Sequence, residues 1–134
     1  MFVDACAIVS IMMGEDTAPA YEGALARTEA VFTSPMAAWE AIIVLSRPDQ
    51  LDCRYSDAAE AVVEWLDARG IDLREASSSR EVLAYAVDVA EKYGVGRGAL
   101  SNFDCFHFAY AKAAGVPLLT LDQLLRQTDV PTAP

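Results

Sequence analysis

Short β-like runs alternate with helical runs along all 134 residues, an order that few architectures accommodate. "FVDACAIV" opens as a buried strand over roughly residues 1–4 and then turns. "TAPAYEGALARTEA" (17–30) reads as a helix, with Thr17 as N-cap and Pro19 in its first turn, where proline is tolerated. "VFTS" (31–34) reads as a strand stopped by Pro35, and "MAAWEAIIVLSR" (36–47) as a strongly apolar helix with Pro48 beyond its end. "SDAAEAVVEWLDARG" (56–70) predicts an amphipathic helix capped by Ser56, with Ala59, Val62, Val63 and Leu66 on one face and Gly70 as its stop. "IDLREA" (71–76) alternates as a strand does. Helices follow over 79–94 and 101–115, with Gly94 and Gly115 as stops and a glycine loop, "VGRG" (95–98), between them. "VPLLTLD" (116–122) predicts a last long strand before a short tail containing "TDV" (128–130). The order β-α-β-α-α-β-α-α-β-β implies one α/β domain over residues 1–134, a sandwich around a mostly parallel sheet. In such sheets ligands bind beyond the carboxyl ends of the strands.

Composition removes several alternatives. A hydrophobic content of 54% excludes a disordered chain, and no apolar run approaches the ~20 residues needed to span a bilayer. The N-terminus carries Asp4 and no basic segment, unlike a secretory signal. Cys6, Cys53 and Cys105 form no C-x-x-C pair, a scatter expected of reduced, mostly buried thiols in the cytoplasm. A net charge of −10 argues against a broad nucleic-acid footprint. The charge is uneven, however: residues 92–112 hold three cations, Lys92, Arg97 and Lys112, against the single acid Asp104.

A soluble acidic surface accounts for most of the 20 acids, but not for those set inside apolar stretches. Asp4 ends the first strand, and Asp122 follows "PLLTL" in the same way. Glu40 interrupts "MAAW-E-AIIVL", and Asp104 interrupts an aromatic run. In a parallel sheet Asp4 and Asp122 emerge on one rim, where Glu40 and Asp104 can join them. Four close carboxylates stay ionised only if a cation neutralises them. Oxygen donors without a Cys or His set point to Mg²⁺ or Mn²⁺, which activates water and stabilises a phosphoryl transition state.

Taken singly, each acid also has an ordinary structural use. Ser101-x-x-Asp104 fits a capping box, Glu40 fits the polar edge of a helix, and Asp122 fits the cap of a following turn. Asp4 alone has no evident structural duty. The one histidine, His107, reads as a surface or core-edge residue on the helix of Asp104. No phosphate-loop or dinucleotide motif is present, and "GVGRG" is too short to serve as one. Arg97 in that loop reads as an exposed side chain or as a contact to phosphate or to a partner carboxylate. Cys105 has no basic neighbour to activate it and reads as packing.

Three blocks carry a resemblance to a known family: "FVDACAIVSIMMGE", "SPMAAWEAIIVL" and "YGVGRGALSNFDCFHFAYAKAAGVPLLTLD". The chain resembles PIN-domain proteins, and within them the VapC-like toxins of bacterial toxin–antitoxin pairs. The last block is the most specific, with Tyr93, Gly94, Arg97, Leu100, Asn102, Asp104, Cys105, Ala109, Ala111, Lys112 and Pro117-Leu118-Leu119 in the family's order. The resemblance implies a PIN-like three-layer sandwich and Mg²⁺- or Mn²⁺-dependent ribonuclease activity. Asp4, Glu40 and Asp104 match the family's acids, Asp122 its more variable fourth acid, and Asp129 a secondary one. It further implies an inhibitory antitoxin that lays a basic side chain into the acidic pocket, and a homodimer.

Two positions depart from the family pattern. Cys6 stands where a small hydroxyl residue is common, and Phe103 where a glycine is common. Two readings follow. One is a ribonuclease hydrolysing RNA at Asp4, Glu40, Asp104 and Asp122, with Arg97 and Lys112 guiding the backbone. The other is a catalytically weak or inactive interaction module, favoured by Cys6 and Phe103. An aspartyl-nucleophile phosphatase ranks last, because Cys6 occupies the position of its second aspartate.

Overall fold

The structure, a computed structural model, describes residues 1–134. Five strands, β1 (Phe2–Val3), β2 (Phe32–Thr33), β3 (Asp72–Leu73), β4 (Leu118–Leu119) and β5 (Thr132–Ala133), form one sheet in the order β3-β2-β1-β4-β5. Every pairing is parallel, with Phe2 opposite both Phe32 and Leu118. The chain moves outward from β1 to β3 and then returns to place β4 on the other side of β1. That reversal lies between β1 and β4, the place where open parallel sheets build sites.

Six helices cover the two faces: α1 (Ala5–Met13), α2 (Ala18–Leu25), α3 (Pro35–Leu45), α4 (Tyr55–Ala68), α5 (Ser79–Tyr93) and α6 (Asn102–Ala114). Side chains alternate along each strand, so neighbours enter opposite cores. Val3 and Leu119 pack with Ile8, Leu45, Val62 and Leu66 of α1, α3 and α4. Phe2 and Leu118 pack with Val82, Val89 and Phe108 of α5 and α6. The result is the three-layer α/β sandwich expected from the alternation.

Local signals account for several boundaries. Ser34 caps α3 by accepting from the Ala37 N–H (3.1 Å), and Pro35 takes the first helical position, where its missing N–H costs nothing. Ser78 caps α5 through the Glu81 N–H. Gly115 ends α6 with φ +63°, a left-handed conformation that a side chain resists.

Other expectations are corrected. α1 has no counterpart in the sequence reading, because "ACAIVSIMM" is apolar throughout and lacks a helical stripe. It lies buried along most of its length, and Asp4 caps it by accepting from the Cys6 N–H (3.4 Å), so Asp4 does have a structural duty. Thr17 makes no cap bond; its hydroxyl pairs with Ser10 Oγ at 2.7 Å. Ser56 does not cap α4 either. Arg54 holds that position, and its side chain pairs with Asp57 instead. The buried face of α4 is Ala58, Val62 and Leu66, a four-residue spacing that turns Val63 to solvent (44% exposed). β1 and β2 stop after two residues because the next residues, Asp4 and Ser34, already cap α1 and α3.

Candidate metal centre

The site forms at the carboxyl ends of β1 and β4, where the chain reverses. Asp4 directly follows β1, and its backbone N–H donates to Leu119 O at 3.4 Å, tying it to the end of β4. Glu40 projects from the middle of α3, and Asp104 from the first turn of α6. His107 lies one turn after Asp104 on α6.

His107 is fully buried, which corrects the surface or core-edge reading. Its Nδ1 lies 2.9 Å from Asp4 Oδ1 and its Nε2 lies 3.3 Å from Glu40 Oε2. Neither contact is aligned as a hydrogen bond, so Nδ1, Nε2 and Glu40 Oε2 are buried without a hydrogen-bond partner. The ring packs between Phe2 (centroids 6.0 Å) and Phe103 (6.5 Å). A signal for His107 did exist in the sequence, since it stands three residues after Asp104 and so shares its helix face.

A polar network locks one oxygen of Asp4. Thr120 Oγ1 donates to Asp4 Oδ2 at 2.6 Å, and the Cys6 thiol donates to the same oxygen at 3.0 Å. Tyr21, not singled out in the sequence, stands behind them. Its oxygen accepts the Leu121 N–H at 3.0 Å and lies 3.2 Å from Cys6 Sγ. With the thiol proton committed to Asp4, the tyrosine proton faces the sulfur, and the donors run in one direction toward the carboxylate. Cys6 therefore supplies the donor that a hydroxyl would supply there.

Electrostatics separate the acids. Burial pushes Asp4 up, but the adjacent His107 and the Cys6 and Thr120 donors outweigh it and hold the carboxyl at about 2. Burial dominates at Glu40 and lifts it to about 7, against the opposing pull of His107. Burial also raises Asp104, opposed by its Ser101 hydrogen bonds and reinforced by Asp4. Burial alone would lower His107, yet Asp4, Glu40 and Asp104 together raise it. Burial, then Asp4, raises the Cys6 thiol, so it stays protonated and unreactive.

Asp104 has the capping role anticipated for it as well. Its Oδ2 accepts the Ser101 N–H at 2.6 Å, and its own N–H donates to Ser101 Oγ at 3.0 Å. Asp122 caps the turn that follows β4, its Oδ1 accepting from the Leu124 and Leu125 N–H groups. Its N–H donates to Thr120 Oγ1 at 3.1 Å, which links it to Asp4 through the threonine. Arg97 is exposed in the loop entering α6. Lys112 lies about 12 Å further along the α6 axis than Asp104. Its ammonium sits 2.8 Å from Asp129 Oδ2.

A divalent cation fits this donor set. Asp4, Glu40 and His107 each offer a ligand atom, all within 4.8 Å of one another. Three of the polar atoms converging there have no hydrogen-bond partner, a costly arrangement that a shared cation relieves.

The chain is similar to several known proteins. The PIN domain model matches residues 1–131. The chain is 34% identical to Ribonuclease VapC of Mycolicibacterium smegmatis, over 97% of each chain. It is 25% identical to Ribonuclease VapC30 of Mycobacterium tuberculosis, over 98% of this chain and 97% of that one. Among solved structures it shares the fold of Mycobacterium tuberculosis VapC20, a sarcin-ricin loop cleaving toxin. That likeness has TM-score 0.71 and 15% identity, covering 96% of this chain and 95% of that one. It also shares the fold of VapBC-1 from nontypeable Haemophilus influenzae, with TM-score 0.66 and 13% identity, covering 98% of this chain and 94% of that one. With Asp4 and Glu40 brought together at the sheet's reversal point and its full-length likeness to these relatives, the chain belongs to the PIN domain family.

Proposed function

We propose that this protein is a Mg²⁺- or Mn²⁺-dependent endoribonuclease and the toxin of a VapC-type toxin–antitoxin pair, acting in the cytoplasm on RNA. The observation that carries the proposal is the pairing of buried Asp4 with half-buried Glu40 around unpartnered polar atoms at the carboxyl edge of the sheet. The relatives named as VapC ribonucleases supply the reaction class.

Asp4, Glu40 and Asp104 would hold the cation, with Asp122 completing the set from the turn after β4. Such a cation would supply activation of a water and stabilisation of the negative charge that develops on the phosphoryl oxygens. The chain's own groups do the rest. Thr120 and Cys6 occupy Asp4 Oδ2, which leaves Oδ1 facing the site. The capping bond holds Asp104 Oδ2, which leaves its Oδ1 for the site. Burial raises the Glu40 carboxyl to about 7 without a cation, so binding the ion would release its proton and leave the carboxylate charged. Arg97 in the loop entering α6 would meet the RNA backbone. Lys112, held by Asp129, would contribute less. A cognate antitoxin would neutralise the site with a basic side chain, and the toxin would work as a homodimer.

Cleavage of total RNA by partner-free protein with Mn²⁺ or Mg²⁺, beside Asp4→Asn and Asp104→Asn, tests the proposal. Wild type should cleave and both variants should not. Equal cleavage by all three points to a contaminant and removes the proposal. Failure of all three to cleave, with no metal binding by calorimetry, favours the interaction module.

A further inference from the structure

We propose that His107 is a nitrogen ligand of the metal centre, and that it makes the centre select Mn²⁺ and similar transition-metal ions over Mg²⁺. The inference rests on the metal-dependent reading of the site and names a ligand outside its carboxylates.

Three observations carry it. First, His107 is fully buried, yet neither ring nitrogen has an aligned hydrogen-bond partner. Each nitrogen lies within 3.3 Å of a carboxylate oxygen without an aligned N–H between them, and a cation shared by one nitrogen and its carboxylate satisfies both atoms. Second, the distances suit sharing. Two donors at right angles on an octahedral ion, with bonds of about 2.1 Å, lie about 3.0 Å apart. Only one ring nitrogen can meet a given ion, and either pair suits it: Nδ1–Oδ1 is 2.9 Å and Nε2–Oε2 is 3.3 Å. Third, the ring sits among aromatic neighbours in a fully buried place. The Phe2 and Phe103 rings lie 6.0 and 6.5 Å from it, tilted by 37° and 29°, and this packing limits its rotation away from the acids. Phe103 stands where the family commonly has a glycine, so this departure acquires a use in holding the imidazole in place.

A mixed nitrogen and oxygen donor set has a chemical consequence. Mg²⁺ prefers oxygen and keeps several waters, whereas a nitrogen donor favours first-row transition ions, with affinity rising along the series that starts at Mn²⁺. Glu40 and Asp4 supply the hard oxygens, and His107 shifts the preference.

His107 is the only histidine in the chain, so protein prepared without a histidine tag gives an unambiguous test. Pulsed EPR of the Mn²⁺-loaded, partner-free protein should show imidazole nitrogen coupling that changes on ¹⁵N-histidine labelling. This measurement needs no variant and so does not depend on how a variant folds. Calorimetry with Mn²⁺ and Mg²⁺ on wild type and His107→Phe gives the selectivity. Mn²⁺ affinity should fall roughly tenfold or more in the variant, with Mg²⁺ affinity changing by less than about threefold. Stoichiometric Mn²⁺ binding without nitrogen coupling overturns the inference while leaving the carboxylate metal site intact. Tighter Mn²⁺ binding by His107→Phe than by wild type also overturns it, because the ring is then a competitor of the ion. Absence of any Mn²⁺ binding overturns both this inference and the metal-dependent reading.

Discussion

Asp104 is asked to do two things, and a pair of substitutions separates them. Ser101→Ala removes one half of the capping box, the 3.0 Å bond from the Asp104 N–H, and leaves the carboxylate in place. Loss of an N-cap costs about 1 kcal/mol. For 134 residues the entropy of unfolding near the midpoint is about 0.28 kcal/mol/K, so the melting temperature should fall by about 4 °C. Asp104→Asn keeps an oxygen able to accept the Ser101 N–H and removes a charge that burial already disfavours. Its metal-free melting temperature should therefore stay within about 2 °C of wild type or rise. Metal response should sort the two in the opposite order. At a Mn²⁺ concentration of about 100 Kd, linkage stabilises wild type by about 2.7 kcal/mol, or roughly 10 °C. Ser101→Ala should keep that rise and its RNA cleavage at 25 °C, whereas Asp104→Asn should lose most of both. Calorimetric melting with and without Mn²⁺, beside a gel assay of RNA cleavage, measures each quantity. If Ser101→Ala loses cleavage as completely as Asp104→Asn while folded, Asp104 acts only as a cap and its metal role is refuted.

Three further outcomes follow from the same structure. Cys6→Ser keeps a donor to Asp4 Oδ2 and should hold cleavage within about threefold, whereas Cys6→Val removes that donor, leaves the Tyr21 hydroxyl proton without its acceptor and should cost about 1–3 kcal/mol and lower the rate, as melting and cleavage assays will report. Phe2→Ala removes a fully buried ring packed on Phe32 and Tyr110 and should cost about 3–5 kcal/mol, a fall of roughly 10–18 °C by calorimetry; a fall under about 5 °C would mean that the two cores do not depend on this strand. Arg97→Met should lower the salt dependence of RNA binding by about one released counterion, while Lys112→Met should change it less, because Asp129 already holds the ammonium; filter binding across a salt series compares them.

Local sequence signals specified the layered α/β class, the helix ends at Gly94, Ser101 and Gly115, and the four acids that sit where apolar residues belong. Those signals act within a few residues: a hydroxyl meets an N–H one turn away, a glycine reaches a left-handed φ, and a carboxylate in an apolar run needs a reason to be there. α1 escaped because a helix buried along most of its length carries no polar stripe. The tertiary structure alone decided that β4 returns to the far side of β1, which brings Thr120 within 2.6 Å of Asp4 across 116 residues. It alone decided that Tyr21 backs the thiol of Cys6, and that His107 lies buried between Asp4 and Glu40. Such contacts depend on strand order and on the packing of α3 and α6 against each other, and no local propensity encodes either. A histidine three residues after an aspartate reads the same in any helix; only the burial of that helix against Phe2, beneath Phe103, turns its ring toward two carboxylates.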